Sequence, residues 1–160
     1  MCNPPSIVNV SFQRKYLIFL VTLYSFAFAQ SGYGQVVSTL AGDGLGGFLD
    51  GTGTGSRFWS LYGVCNDGAG NLYVADRLNH RIRKIEIATG IVTTVAGSTS
   101  GFTDGVGALA QFNTPQGVCV DGSGNLFVGD SFNSRIRKVV LATGAVTTLA
   151  GSSLGFMDGT

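Results

Sequence analysis

An internal repeat is the feature of this sequence that most restricts how the chain can fold. When the chain is shifted by 54 residues, residues 48–101 align with residues 102–155, and 30 of these 54 positions are identical. The similarity extends outside this window, since residues 37–42 resemble residues 92–97 and 146–151. Such identity does not arise by chance, and a repeat of about 50 residues is typical of propellers and other repeat arrays. The sequence therefore predicts successive copies of one structural unit.

One copy of the repeat is interpreted as four short β-strands. In the second copy they cover residues 117–120, 126–129, 135–141 and 145–149. The intervening segments are rich in Gly, Asp, Asn, Ser and Thr, which favour turns. The 25 glycines of the chain fit this interpretation, because glycine readily adopts the positive φ angles of tight turns. Four strands joined by such turns form an antiparallel meander, and the sequence predicts an all-β fold of β-propeller blades.

The chain is expected to contain two blades and one additional strand. Repeat one covers residues 43–97, repeat two covers residues 98–151, and a third begins within residues 152–160. Residues 36–40 resemble a fourth strand without the three strands that would precede it in a blade. Propellers close with about four to eight blades, so the sequence predicts a fragment of a larger propeller. The alternative is a two-blade protein that closes its ring by self-association.

The N-terminal residues 1–29 have the pattern of a secretory signal peptide. Arg14 and Lys15 precede an apolar run over residues 16–28, and Ala27 and Ala29 supply the small residues that a signal peptidase recognises. The run is too short for a transmembrane helix, which needs about 20 apolar residues. Cleavage after Ala29 would leave a secreted, periplasmic or cell-surface domain without a membrane anchor.

The charge of the predicted mature chain argues against nucleic acid as a partner. Without Arg14 and Lys15, eight basic residues remain against nine acidic ones. A nearly neutral domain lacks the long-range positive field that collects phosphate groups. Six basic residues of the third strands could form a basic strip, and we expect them to make solvated or inter-blade ion pairs instead. They are Arg81, Arg83, Lys84, Arg135, Arg137 and Lys138.

The polar residues after the second strand carry a family resemblance. Asn79-His80-Arg81-Ile82 stands in the first copy, and Asn133-Ser134-Arg135-Ile136 occupies the same place in the second. These residues, with the Gly- and Phe-containing connection before each blade, resemble the NHL repeat in its longer variety. The resemblance covers nearly the whole predicted mature chain and implies a β-propeller, usually with about six blades. The departures are Ser134 in place of His80 and Leu61 in place of Pro115.

A polar set recurs around this motif in both copies. It consists of Asp76, Asn79 and Arg81 in the first copy and Asp130, Asn133 and Arg135 in the second. We interpret the set as structural, because catalytic residues rarely recur in every unit of an array. The aspartate and the arginine are expected to pair across the turn, while the asparagine bonds its own backbone. The alternative is a charged binding site.

The sequence predicts no catalytic residue, metal site or cofactor. The turn at 121–125 resembles a calcium loop but lacks the bidentate glutamate and the run of side-chain oxygens that calcium requires. Relatives of this architecture include metal-dependent lactonases and a zinc-using amidating lyase, whose central metals need several histidines or carboxylates, and His80 is the only histidine here. The alternative to a binding role is an enzyme of that kind whose metal ligands lie in other blades.

Two cysteines and two aromatic residues are also assigned from the repeat. Cys65 and Cys119 occupy matching positions, so we expect buried free thiols with a packing role in preference to a disulfide. Phe58 aligns with a phenylalanine in the second copy and is expected in the core. Trp59 aligns with Asn113, so the repeat does not require it, and it is a candidate for a contact surface.

One face of the predicted blades gathers the candidate binding residues. Antiparallel order places the turns after strands two and four on this face, together with the long connections 42–62 and 97–116, and long loops on a rigid scaffold commonly carry binding sites. The candidates are Trp59, Arg77, His80 and Phe132. We predict an exported, non-catalytic binding or interaction scaffold whose partner is an extracellular or periplasmic protein or glycan.

Overall fold

The computed structural model describes residues 37–152, in which each repeat forms one antiparallel β-sheet. The first sheet contains β1 (Gly51–Thr52), β2 (Leu61–Asn66), β3 (Asn71–Asp76), β4 (Arg81–Glu86) and β5 (Ile91–Gly97), in the spatial order β1-β5-β4-β3-β2. The second contains β6 (Gly105–Val106), β7 (Pro115–Val120), β8 (Asn125–Asp130), β9 (Arg135–Val140) and β10 (Ala145–Ala150), in the order β6-β10-β9-β8-β7. The prediction of an all-β fold of propeller blades is confirmed. The predicted signal peptide and most of the predicted start of a third repeat lie outside the described residues.

Short turns of 3₁₀ helix accompany the strands of both sheets. They lie at Gly53–Gly55, Arg77–Asn79, Gly107–Leu109 and Ser131–Asn133. None of the helices within residues 37–152 has the length and apolar character needed to cross a lipid bilayer.

The alternation of side chains along each strand builds a core between the two blades. Tyr73 and Ala75 are buried in a cluster shared with the second blade, whereas Val74 packs in a second cluster with residues of its own connection. Phe112 and Leu126 contribute to the shared cluster from the second repeat, and both are fully buried. The two sheets therefore depend on one common core.

Each sheet has a fifth strand that the sequence does not indicate. β1 pairs with the start of β5, and β6 pairs with the start of β10, in each case through two residues. Strands this short carry no alternating apolar pattern, which is the signal from which strands are predicted. They cover part of the outer edge of each sheet, where unpaired backbone groups would otherwise be exposed. The predicted four-stranded meander is thus extended by one strand.

The fifth strands change the predicted path of the long connections. The middle of each connection runs to the hairpin edge of its blade, where Gly53 donates a hydrogen bond to the carbonyl of Gly90 at 2.9 Å. Gly107 donates to the carbonyl of Gly144 at 3.0 Å in the same way. The prediction that the connections 42–62 and 97–116 lie wholly on the opposite face is therefore wrong. The two ends of each connection stay on that face, whereas its middle pairs with the outer strand of the blade, β5 or β10.

Residues 37–40 form no β-strand. The prediction of a fourth strand over residues 36–40 is wrong for these four positions, and residue 36 lies outside the described range. A strand requires hydrogen-bonded neighbours along its edge, because a single extended segment leaves its backbone groups to water. No strand of the two described sheets pairs with these residues.

The first strands of the two blades run next to each other, and glycine makes this approach feasible. A Cβ at Gly63 in β2 would collide with the backbone carbonyl of Gln116 in β7. Gly117 occupies the same repeat position in the second blade, and a Cβ there would meet no described atom within 4 Å. Close packing of β2 on β7 therefore requires glycine at position 63, because a side chain there would collide with the neighbouring blade. No described blade imposes this requirement at position 117.

Both cysteines of the described range are free, as expected, but they are less buried than predicted. Cys65 is half-buried next to β7, while Cys119 is exposed. The difference follows from the array, because the second blade covers the side of β2 that carries Cys65. Within residues 37–152 no further blade covers Cys119. Burial raises the pKa of the Cys65 thiol, which keeps it protonated and unreactive at neutral pH.

Candidate functional site

The turn after the second strand of each blade is fixed by backbone hydrogen bonds. Leu78 donates to the carbonyl of Trp59 at 3.0 Å, and Phe132 donates to the carbonyl of Asn113 at 3.2 Å. Each turn therefore holds the residue that lies two positions before the first strand. His80 ends the first turn with φ +56°, a left-handed conformation that histidine tolerates better than most residues.

A buried carboxylate organises this region in the first blade. The two oxygens of Asp76 accept hydrogen bonds from the Trp59 backbone N–H at 2.8 Å, the Asn79 amide at 2.8 Å and the Arg83 guanidinium at 2.7 Å. Asp130 repeats the arrangement with Asn113, Asn133 and Arg137. Both carboxylates are completely buried, so neither is available to a ligand.

The predicted pairing of Asp76 with Arg81, and of Asp130 with Arg135, is wrong. The partner is the arginine two residues further along the third strand, and Arg83 reaches back diagonally to Asp76. Arg81 lies directly opposite Asp76, but its long side chain extends past the carboxylate, to 3.9 Å from the centre of the Phe48 ring. A cation over an aromatic face is favourable at a partly exposed site.

The predicted role of the asparagine also needs correction. Asn79 does not bond its own backbone through its side chain. Its amide donates to the carbonyl of Gly47 at 2.7 Å and to Asp76. Asn133 makes the same two contacts in the second blade, with Gly101 and Asp130. The asparagine therefore ties the turn to the preceding connection, which is a contact between distant parts of the chain that a local turn motif does not encode.

Arg83 and Arg137 are the centres of the buried polar network. The expectation of solvated or inter-blade ion pairs is wrong for both, because each pairs with aspartates of its own repeat. Arg83 is fully buried and also contacts Asp50 at 2.6 Å and the carbonyls of Leu49 and Arg57. Arg137 makes the equivalent contacts with Asp104, Thr103 and Gln111. A buried cation needs this degree of compensation. The signal for the network was present in the repeat, because Asp50 and Arg83 are both preserved in the second copy.

Six exposed or half-buried residues lie on this face, in the turns after the second strands and just before the first strands. We call this set the aromatic strip, and it consists of Trp59, Arg77, Leu78, His80, Asn113 and Phe132. Hydrogen bonds connect these residues. The backbone N–H groups of Leu78 and Phe132 donate to the carbonyls of Trp59 and Asn113, and the His80 side chain accepts from the backbone of Thr114. Trp59 is 52% exposed and Phe132 is 64% exposed, which is high for large apolar side chains. The strip brings the four predicted candidates to one face.

His80 links the two blades within this strip. Its Nδ1 accepts a hydrogen bond from the backbone N–H of Thr114 at 3.1 Å. Burial and the neighbouring Arg81 lower the pKa of His80 below its ordinary value of 6.5, while Asp130 acts in the opposite direction. The imidazole is therefore neutral at physiological pH and able to accept this bond.

The hairpins on the opposite edge satisfy their own polar groups. Asp121 accepts hydrogen bonds from the backbone of Ser123 at 2.7 Å and from the backbone and side chain of Asn125. These bonds lower the pKa of the Asp121 carboxyl. Asp67 has the same arrangement in the first blade. Among residues 37–152, no three His, Cys, Asp or Glu side chains come together as metal ligands would.

Comparison with known families and proteins supports the repeat assignment. The family model described as NHL repeat matches residues 112–139. The chain is 38% identical over 96 residues to the chloroplastic protein SUPPRESSOR OF QUENCHING 1 of Arabidopsis thaliana, a match that covers 59% of this chain and 9% of that protein. It is 39% identical over 88 residues to NHL repeat-containing protein 2 of Gallus gallus, covering 54% of this chain and 12% of that protein. The chain thus spans a small part of the curated relatives it matches.

Solved structures share the fold of the described residues. An auxiliary nutrient binding protein from Bacteroides thetaiotaomicron superposes with a TM-score of 0.55 and 30% identity, over 68% of this chain and 28% of that chain. A protein of unknown function from the same bacterium superposes with a TM-score of 0.55 and 32% identity, over 62% of this chain and 24% of that chain. These structures, too, are several times longer than the matched region.

Proposed function

We propose that this chain, in which residues 112–139 match the NHL repeat, is an exported, non-catalytic binding module whose aromatic strip contacts the partner. The charged groups at the centre of the network around Arg83 and Arg137 are buried, so a partner that approaches this face contacts the residues of the aromatic strip. A similar solved structure is described as an auxiliary nutrient binding protein, which supports a binding role.

The observation that carries this proposal is the difference between the two repeats at the strip. The first blade has Trp59 where the second has Asn113, and the second has Phe132 where the first has Leu78. Each blade therefore folds without the aromatic residue of the other. Since neither ring is needed for the blade, their exposure on one face supports a role in contacting a ligand.

The composition of the strip favours a protein or glycan partner. Trp59 and Phe132 offer flat apolar surfaces, while Arg77 and Asn113 add hydrogen-bonding groups beside them. Aromatic rings contribute large contact areas at little cost in conformational entropy, and they pack on sugar rings as well as on apolar side chains. The nearly neutral charge of the domain does not favour nucleic acid.

Trp59 is the only tryptophan of the chain, so its fluorescence reports directly on the strip. We expect one class of soluble oligosaccharide or one extracellular protein fraction to shift its emission to shorter wavelength. The variants W59N and F132L, which take the residues of the other repeat, should each weaken binding about tenfold in calorimetry. A69S is the matched control, because it makes the same kind of exchange in the hairpin at the opposite edge.

A ligand that binds W59N and F132L as tightly as the unmodified chain would refute the strip as the binding site. The proposed export has a separate test, in which the mature N-terminus is sequenced from secreted protein. We expect the mature chain to begin at Gln30. An intact Met1 on exported protein would overturn the signal-peptide assignment while leaving the binding proposal standing.

A further inference from the structure

One side chain of the aromatic strip makes a hydrogen bond across the junction between the two blades. His80 from the first blade accepts its hydrogen bond from Thr114, the residue immediately before β7 of the second blade. Thr114 has φ +51°, a left-handed conformation that β-branched residues rarely adopt. The bond therefore stabilises a strained residue at the point where the chain enters the second blade.

This bond exists in one protonation state of the imidazole. Neutral histidine can accept at Nδ1 while its proton is on Nε2, whereas the imidazolium ion has a proton on both nitrogens and accepts at neither. Protonation would place two donors, the imidazolium N–H and the Thr114 N–H, against each other. The Thr114 hydroxyl is also buried without a hydrogen-bond partner in the described range, so the Thr114 side chain itself adds no hydrogen bond across the junction.

We propose that His80 is an acid-sensitive latch between the two blades, which releases the Thr114 segment when its imidazole is protonated. Release would loosen Asn113 relative to Trp59 and Leu78, and would so separate the two halves of the aromatic strip. The latch goes beyond the proposed binding function, because it concerns the blade junction and does not depend on which partner the strip contacts.

The charges around His80 determine the direction of the effect. Arg81 faces it from β4 and disfavours a second positive charge, whereas Asp130 faces it from the end of β8 and favours one. Thr114, which donates to it, and its neighbours within residues 111–115 carry no charged side chain. Burial is the largest influence and lowers the pKa of His80 in the folded state below 6.5. The unfolded chain therefore binds the proton more tightly, and acid weakens the folded state.

The pH range of the latch is separate from that of the carboxylates. The contribution of His80 is complete above pH 6.5 and is lost as the pH falls from 6.5 through the lower pKa of the folded state. The aspartates with lowered pKa values, Asp43, Asp67, Asp104 and Asp121, lose their contributions below the ordinary value of 3.8. Because the chain has one histidine, a transition below pH 6.5 and above the range of these aspartates belongs to His80.

The second repeat supplies a matched pair of variants. Ser134 occupies the same turn position as His80, with nearly the same backbone angle of φ +53°, and lines an open groove. H80S thus keeps a residue already compatible with this turn while removing the acceptor. S134H places a new histidine in the same turn without the Thr114 N–H beside it.

Hydrogen exchange of the Thr114 amide in the full chain tests the latch directly. After correction for intrinsic exchange, we expect protection to fall at least tenfold between pH 7.5 and pH 5.0 in the unmodified chain and in S134H. H80S should show the low level of protection at both values. Equal protection of Thr114 at the two pH values in the unmodified chain, or full protection in H80S, would overturn the proposal.

A second measurement keeps the proposal decidable if H80S does not fold. In the unmodified chain, the ring-proton resonance of His80 gives its titration midpoint, and the exchange rate of Thr114 gives the midpoint of release. The latch requires the two midpoints to coincide. Midpoints that differ by more than about half a pH unit would show that another group controls the junction.

Discussion

At the scale of single residues, Arg83 shows how one buried cation fixes the geometry around it. Its guanidinium joins Asp76 at the end of β3 with Asp50 in the preceding connection, at 2.7 and 2.6 Å. The aromatic rings of Phe48 and Phe58 each lie 4.9 Å from it. The turn, the connection and the third strand therefore meet at one side chain, which has no exposed surface.

Replacing Arg83 should destabilise the chain strongly. R83M removes the cation and leaves the buried carboxylate of Asp76 without its charged partner, which typically costs about 3–5 kcal/mol. K84M is the matched control on the same strand, because Lys84 makes a partly exposed pair with Glu86 that is worth at most about 1 kcal/mol. Urea unfolding followed by Trp59 fluorescence measures both. Equal losses in the two variants would contradict the role assigned to Arg83.

At the scale of elements, the contact between β2 and β7 sets how closely successive blades approach. The contact relies on the absence of a side chain at Gly63, which faces the backbone of β7 directly. The corresponding Gly117 has open space around it in the described range. The same residue in two copies of one repeat thus has different energetic importance, according to whether a neighbouring blade covers it.

The two glycines provide a paired test of this contact. G63A should lower the free energy of unfolding by about 1–3 kcal/mol, because its methyl group must displace the carbonyl of Gln116. G117A should change it by less than about 1 kcal/mol, since replacing glycine where space is available mainly restricts the unfolded chain. Thermal unfolding of both variants gives the comparison. A loss in G117A as large as in G63A would show that the approach of β7 is not the reason for glycine at position 63.

At the scale of the whole molecule, the described part of the chain behaves as two sheets with one core. Buried residues of both repeats belong to the same cluster, and Phe112 from the second repeat lies against Gly97 of the first. Strands of one blade therefore lose apolar contacts if the other blade unfolds. Repeat arrays of this kind derive their stability from interfaces between neighbours as much as from each unit.

Truncating Phe112 should therefore lower the stability of both blades together. F112A removes a fully buried ring from the shared core, which costs about 3–5 kcal/mol. Trp59 fluorescence reports on the first blade and far-ultraviolet circular dichroism on both, and we expect their urea transitions to shift together. F58A should cost less, because Phe58 is half-buried. A first blade that keeps its original transition in F112A would show that the blades are energetically independent.

The meander was predictable from sequence because its strands alternate apolar residues and its turns contain Gly, Asp and Asn in both copies. The pairing of Asp76 with Arg83, and not with Arg81, could not be predicted from sequence. Both arginines lie on one side of β4, and the pairing depends on contacts of Arg83 with a connection more than thirty residues away. β1 and β6 carry no apolar alternation. The exposure of Cys119 depends on which neighbours surround its blade. The position of Trp59, Arg77, His80 and Phe132 on one face followed from the antiparallel order of the strands, whereas the bond from His80 to Thr114 needed three-dimensional information.

The left-handed residues of this chain have a consequence for engineering. Within residues 37–152, four non-glycine positions have positive φ, and they form two pairs related by the repeat, Ser60 with Thr114 and His80 with Ser134. Within each pair the backbone angle is retained although the side chain differs. The backbone conformation of the blade at these turns is therefore retained whichever of the two side chains is present. Side chains at these four positions could be exchanged to change the surface, and the replacement of Ser60 by glycine, which adopts positive φ without strain, offers a way to gain stability without changing the residues of the aromatic strip.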